Sequence, residues 1–207
     1  MTRRASERSC LLLLNGEIPE PGPVKALAAK VRGVICADGG ARHAARLKIE
    51  PDFVVGDMDS LPHPLPRWRR TVYWCDFNEN LSDFEKALNF AGELGCRRVY
   101  VAGALGGRTD QTLVNLALIE RFSSKLEMIL IDRGTARLLG PGRHALDLRR
   151  GATFSLLAAP RAVVSLTGAR YPLRAASLQP GSRGLSNVAT GVVRLTISRG
   201  RLWLMAA

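Results

Sequence analysis

Gly56-Asp57-Met58-Asp59-Ser60 puts two carboxylates one residue apart, directly after the apolar run Phe53-Val54-Val55. Like charges this close repel unless a cation sits between them. In an extended segment residues i and i+2 point the same way, roughly 6–7 Å apart at a rise of ~3.3 Å per residue. Oxygens from Asp57 and Asp59 then reach one hard cation, and Mg²⁺ commonly takes one or two carboxylates plus substrate phosphates. The competing reading is a turn or a helix cap, where aspartate is also common.

Three further stretches carry polar residues of the same kind. Ser82-Asp83-Phe84-Glu85 precedes an apolar helical pattern and reads as a capping box, with Asp83 a first-turn acid favoured by the helix dipole. Gly103-Ala-Leu-Gly106-Gly107-Arg108-Thr-Asp110 combines glycines that permit close backbone approach with a planar guanidinium fork suited to phosphate. Asp110 opens a helix on which Gln111 and Asn115 share a face and can bond to each other. Ala37-Asp38-Gly39-Gly40-Ala41 follows another apolar run. The chain has no GxxxxGK[ST] phosphate loop, no GxSxG elbow and no His/Cys spacing for zinc. Gly140 to Ala145 fits a loose GxGxxA pattern, but no helix follows it.

The elements that must position these groups alternate. Strands are expected at 10–14, 33–37, 53–55, 71–74, 98–102 and 126–131, with helices at 24–31, 40–47, 82–94 and 110–122. Continuous apolar strands between helices imply a mainly parallel sheet covered on both faces. Ligands of such sheets bind beyond the carboxyl ends of the strands, where Asn15-Gly16 and the stretches at 37, 56 and 103 all fall. After Arg133 short alternating runs separated by turn signals replace the helices, as in an antiparallel sandwich or barrel. The expected organisation is an α/β domain over 1–133 followed by an all-β domain over 134–207.

The net charge of +12 comes mostly from arginine and suits an anionic partner. The arginines are scattered along the chain without interleaved aromatics, so solvated surface is preferred over a nucleic-acid groove and no nucleic-acid partner is expected. Cys10, Cys36, Cys75 and Cys96 form no CxxC pair, which points to a reduced, cytoplasmic setting. The apolar run after Arg3-Arg4 is too short for a signal peptide, and no stretch is long enough to span a membrane.

Taken in order, nine stretches resemble the thiamine pyrophosphokinase family: residues 15–16, 37–41, 54–60, 82–88, 103–112, 138–144, 168–173, 185–187 and 202–205. Each is weak alone; their order and spacing are specific and run almost the whole chain. The resemblance implies an α/β domain followed by a β-rich domain in a homodimer. It also implies transfer of the pyrophosphoryl group of ATP to the hydroxyl of thiamine, giving thiamine diphosphate and AMP. Asp57, Asp59 and Asp83 match acidic positions that hold Mg²⁺ on the ATP phosphates. Asp38, Gly39, Gly40, Gly106, Gly107, Arg108 and Asp110 match the ATP side. Ser186 and Asn187 match a Ser-Asn pair of the thiamine pocket, and Trp203 matches an aromatic covering the pyrimidine from the neighbouring subunit. A flat cationic substrate suits an indole face; an ordinary place in the β core would also explain Trp203.

The chain departs from the pattern at Asn78-Glu79-Asn80, where relatives often carry acidic, Lys or Gln residues. It departs again at Gln111, where bacterial relatives often have histidine, so no proton-carrying role is expected there. Rival readings are a hydroxymethyl-dihydropterin pyrophosphokinase, a regulatory thiamine binder without catalysis, and a basic nucleic-acid-binding protein.

Overall fold

The apolar runs become strands that lie side by side in parallel. In the computed structural model, which describes residues 8–206, the chain separates into two units, one through Arg133 and one from Gly134. The first contains β1 (Ser9–Leu13), α1 (Pro21–Ala28), β2 (Gly33–Ala37), a 3₁₀ turn (Asp38–Gly40), α2 (Ala41–Leu47), β3 (Phe53–Gly56), β4 (Val72–Cys75), α3 (Asp83–Glu93), β5 (Arg98–Ala102), α4 (Thr109–Phe122) and β6 (Glu127–Asp132). Its strands follow the order β6-β5-β1-β2-β3-β4, every pair parallel. α1 begins three residues before its apolar pattern because prolines fit the first helical turn, where no N–H partner is needed.

Leu11, Leu12 and Leu13 are fully buried, so β1 is covered on both faces. On one face Leu11, Leu13, Cys36 and Val54 pack against Val24 of α1 and Ala41, Ala44 and Leu47 of α2. α3 packs on β2 and β3 and buries Phe84, Ala87, Leu88 and Ala91. The Ser82 hydroxyl accepts the Glu85 N–H at 3.3 Å, as the capping box requires. Parallel pairing brings the carboxyl ends of β1, β2, β3 and β5 to one edge, where the sequence has its polar stretches.

The second unit contains β7 (Gly134–Leu139), β8 (Gly142–Leu146), β9 (Thr153–Ala169), β10 (Leu173–Leu178) and β11 (Asn187–Ala206). β9–β10, β7–β11 and β8–β11 are antiparallel. Along β9 and β11, Arg194 lies opposite Thr167 and Leu202 opposite Ala158, so the partner number falls as that of β11 rises. Phe154, Leu156, Val164, Leu166, Val193, Leu195 and Ile197 alternate inward to form this unit's core. Short runs were the expectation; β9 and β11 span 17 and 20 residues instead. Register shifts let one strand bend and continue where a turn was expected. Gly200 sits at such a place with φ +82°, and a Cβ there would lie 1.9 Å from the Arg161 carbonyl.

Candidate functional site

The acidic residues converge where β2 and β3 end. One carboxylate oxygen from each of Asp38, Asp57 and Asp59 lies within 4.8 Å of the others. The Asp-Met-Asp segment is not extended, contrary to the simple expectation. Met58 has φ +72° and the Asp59 N–H donates to Asp57 Oδ1 at 3.2 Å, so a tight turn gathers the two carboxylates. Gly56 lets this turn pass: a Cβ there would meet Asp38 Cβ at 2.7 Å and Asp83 Oδ1 at 2.9 Å.

Asp38 is 1% exposed. Its Oδ2 accepts the Ser60 N–H at 3.0 Å, whereas its buried Oδ1 meets no donor. Burial pushes this carboxyl up to about 6, and the charges of Asp83 and Asp59 reinforce the rise. Burial also raises Asp83, opposed by the Lys86 ammonium 3.4 Å from its Oδ1. Asp59 is lowered instead, chiefly because the Ser60 hydroxyl donates to it at 2.8 Å. Four carboxylates therefore face one buried ammonium. The donor set is entirely oxygen, the chemistry of a hard cation. A buried acceptor without a partner costs about 1–3 kcal/mol, and a cation beside Asp38 Oδ1 removes that cost. The residues present fit a divalent ion of the Mg²⁺ type.

Beside the acids opens a cleft of about 420 Å³, lined among others by Asp38, Gly39, Asp83, Gly106, Gly107 and Arg108. Its floor is Asn15-Gly16, after β1. The Gly16 N–H donates to the Gly103 carbonyl at 2.9 Å, and a Cβ on Gly16 would lie 2.5 Å from two carbonyl oxygens. From α2, His43 Nε2 donates to the Gly16 carbonyl at 2.7 Å, while its Nδ1 accepts from Arg46 at 3.0 Å. Burial lowers the His43 pKa, consistent with a neutral ring. Gly40 packs beneath, too close to the Leu13 carbonyl for any side chain. Arg108 forms a two-pronged ion pair with Asp110, 2.6 Å from Nη2 to Oδ2 and 3.1 Å from Nε to Oδ1, and its side chain is 75% exposed. Asn115 donates to the Ala104 carbonyl at 2.9 Å, which braces the glycine loop from α4.

In the β-rich unit, Ser186 has φ +52° and its N–H donates to Ser155 Oγ at 3.0 Å. Trp203 lies opposite Leu157. Ser155 and Leu157 alternate with the core residues Phe154 and Leu156, so Ser186 and Trp203 gather on the face of β9 turned away from that core. Trp203 is nonetheless buried. Asn187 is buried too, and backbone takes up its amide: Oδ1 accepts from Tyr171 and Val188, and Nδ2 donates to the Tyr171 carbonyl.

Sequence reading passed over Lys86 and His43 as site residues and gave Asn15 and Ser60 no role of their own. Lys86 was readable in principle, three residues after Asp83 on the same helix face. His43 was not, because its partner lies 27 residues away.

Among the described residues no helix is long and apolar enough to cross a membrane. The family description "Thiamin pyrophosphokinase, catalytic domain" matches residues 24–131. Thiamine pyrophosphokinase 1 of Oryza sativa subsp. japonica is 25% identical, covering 98% of this chain and 88% of its own. Thiamine pyrophosphokinase 1 of Arabidopsis thaliana is 29% identical over 68% of this chain and 61% of its own. The same fold recurs in the solved thiamine pyrophosphokinase of Bacillus subtilis, with TM-score 0.78 and 21% identity over 96% of this chain and 98% of that one. It recurs in the Candida albicans thiamin pyrophosphokinase, with TM-score 0.79 and 18% identity over 99% of this chain and 90% of that one. The chain belongs to the thiamin pyrophosphokinase family.

Proposed function

We propose that the chain transfers the pyrophosphoryl group of ATP to the hydroxyl of thiamine, releasing thiamine diphosphate and AMP. The observation that carries the chemistry is the acidic cluster with the orphaned Asp38 Oδ1, set beside a glycine-lined cleft at the strand ends. The thiamine hydroxyl oxygen bonds to the β-phosphorus of ATP. The bond from that phosphorus to the α–β bridging oxygen breaks, AMP leaves with that oxygen, and the hydroxyl proton passes to solvent.

Asp57, Asp59 and Asp83, with Asp38, would hold Mg²⁺. When bound, that ion neutralises phosphate oxygens and lets a neutral nucleophile approach. Gly106, Gly107 and Arg108 receive phosphate at the loop, with Asp110 orienting the guanidinium. Asp38, Gly39 and Gly40 line the nucleotide side. Lys86 supplies a fixed positive charge among the acids. Ser186 and Trp203, gathered on one face of β9, favour thiamine over a pterin, and Asn187 serves that pocket by holding the Tyr171 turn. We further assign the chain to a homodimer with its thiamine site at the subunit interface. Its setting is the cytoplasm, in keeping with four free cysteines.

The test mixes protein, ATP, Mg²⁺ and thiamine and quantifies nucleotides. One AMP per thiamine diphosphate is expected. ADP with thiamine monophosphate would refute pyrophosphoryl transfer, and turnover of a hydroxymethyl pterin in place of thiamine would refute the substrate.

A further inference from the structure

The arginines that look scattered along the chain are gathered by the strand registers of the β-rich unit. From Gly134 onward the chain carries 11 arginines, no lysine and one acidic residue, Asp147; through Arg133 it carries 19 basic and 17 acidic residues. Of the net +12, the smaller unit therefore holds +10. On β11, Val193, Leu195 and Ile197 point into the core, so Arg194 and Thr196 point outward. Arg143 of β8 lies opposite Thr196. On the other side Thr167 and Ser165 of β9 lie opposite Arg194 and Thr196. The Ala175 N–H donates to Ser165 Oγ at 3.0 Å, which sets Arg174 of β10 beside the same row. Past a register shift, Arg199 lies opposite Val163.

All four arginines are exposed. Among the described residues, none of these four takes part in an ion pair. Arg143 and Arg194 are diagonal cross-strand neighbours, whose Cβ atoms stand roughly 7–8 Å apart, and like charges so placed repel. Thr196 stands between them, with Ser165 and Thr167 beyond it, and no acidic residue does. Guanidinium beside hydroxyl is the donor set that meets phosphate oxygens.

We infer that the outer face of β8, β11, β9 and β10 binds the phosphodiester backbone of double-stranded nucleic acid without reading its sequence. No aromatic stands at these positions to stack a base, which excludes the single-strand mode. A second copy centred on this face is disfavoured because a two-fold axis through it would set arginine against arginine; the proposed homodimer interface lies elsewhere, at Ser186 and Trp203. A membrane surface is disfavoured because the larger apolar side chains here are only the half-buried Val163 and the exposed Val192, too little to insert.

The test titrates the full-length protein into a short fluorescent DNA duplex at KCl from about 50 to 200 mM. Four phosphate contacts give a log–log salt slope of roughly −3 to −4, a weakening of about 100-fold across that range. Duplexes of unrelated sequence bind alike. The triple variant R143E/R174E/R194E loses binding at least about tenfold while thiamine turnover and the circular dichroism spectrum stay unchanged. Should charge reversal disturb folding, the milder R143Q/R194Q is expected to flatten the slope by about two. Absence of binding at the lowest salt, or full binding by the triple variant, would overturn the inference. So would arginine-dependent capture of anionic-lipid vesicles with no capture of duplex.

Discussion

The two units place polar groups by different rules. In the α/β unit functional groups ride on short loops at the carboxyl edge of a buried sheet, and glycines clear the space around them. Gly16, Gly40, Gly56 and Gly103 each sit where an added Cβ would strike backbone or a site carboxylate within 3 Å. In the β-rich unit polar groups stand on strand faces, and register alone decides which of them meet. Charge follows the same division: near balance with a tight acidic focus in the first, almost unopposed arginine in the second. A loop at a strand end concentrates charge for chemistry, whereas a sheet face spreads it for contact.

The sharpest way to break this contrast is to remove the acidic focus. Asp57→Asn and Asp59→Asn are each expected to lower AMP release by about 100-fold or more while the circular dichroism spectrum stays native. Near-normal turnover at low Mg²⁺ would remove that residue from the proposed ligands. Arg143→Gln, on the other side of the contrast, is expected to leave turnover within error.

A second test joins the two units. If the chain forms the proposed homodimer, the Trp203→Ala and Asp57→Asn dimers are both expected to be weak, since every site lacks one component. If each thiamine site draws on both subunits, a mixed dimer has one site with both lesions and one with none. Random exchange then restores about a quarter of wild-type activity. No recovery despite proven exchange would mean that both residues serve one site from one chain, or that Trp203 only packs.

What could be read from the sequence divides along the same line. The central parallel strand was legible because both its faces are buried, so 10–14 appears as an unbroken apolar run that covers most of β1. The acids were legible as a motif, yet their geometry was not: Met58 carries no glycine-like signal for its positive φ. Asp38 was legible only as a polar residue after an apolar run and, through the resemblance, as part of the ATP side; its burial came with the packing of the 3₁₀ turn against Ser60. In the β-rich unit, register shifts carry β11 through Ser198-Arg199-Gly200 without a turn, so strand lengths and the arginine face were hidden. His43 shows the general limit, since a ring that braces a carbonyl 27 residues away leaves no local pattern.

That ring gives a smaller effect. His43→Ala removes the donor to Gly16 and loosens the loop that Gly16 holds through Gly103. A lost hydrogen bond of about 1 kcal/mol raises the KM for ATP roughly fivefold, with little change in kcat or in the KM for thiamine. His43→Gln keeps an N–H near the Nε2 position and should recover most of the loss. Equal damage to both KM values would mark a general packing defect.

The smallest expected effect concerns stability, and its sign opposes the effect on activity. Asp38 titrates at about 6 against an ordinary 3.8, because burial disfavours its charged form. A carboxyl whose folded value lies above its unfolded value holds its proton more tightly in the folded chain. Below about pH 4 it is protonated in both states and imposes no penalty. As pH climbs from about 4 to 6 the folded chain must ionise a buried group whose Oδ1 has no donor, and stability falls. Asp38→Asn does not titrate. Its amide oxygen still accepts the Ser60 N–H, and its NH₂ faces the neighbouring carboxylates. In EDTA the variant should match wild type near pH 4 and exceed it at pH 7.5 by on the order of 1 kcal/mol, a Tm gain of about 2–4 °C. Adding Mg²⁺ should raise the wild-type Tm and leave the variant nearly unmoved, since the carboxylate that rewards the ion is gone. Equal melting curves at both pH values would mean that Asp38 is satisfied without an ion. The expected pattern makes Asp38 a residue kept at a cost to the empty fold, as sites built to receive a ligand are.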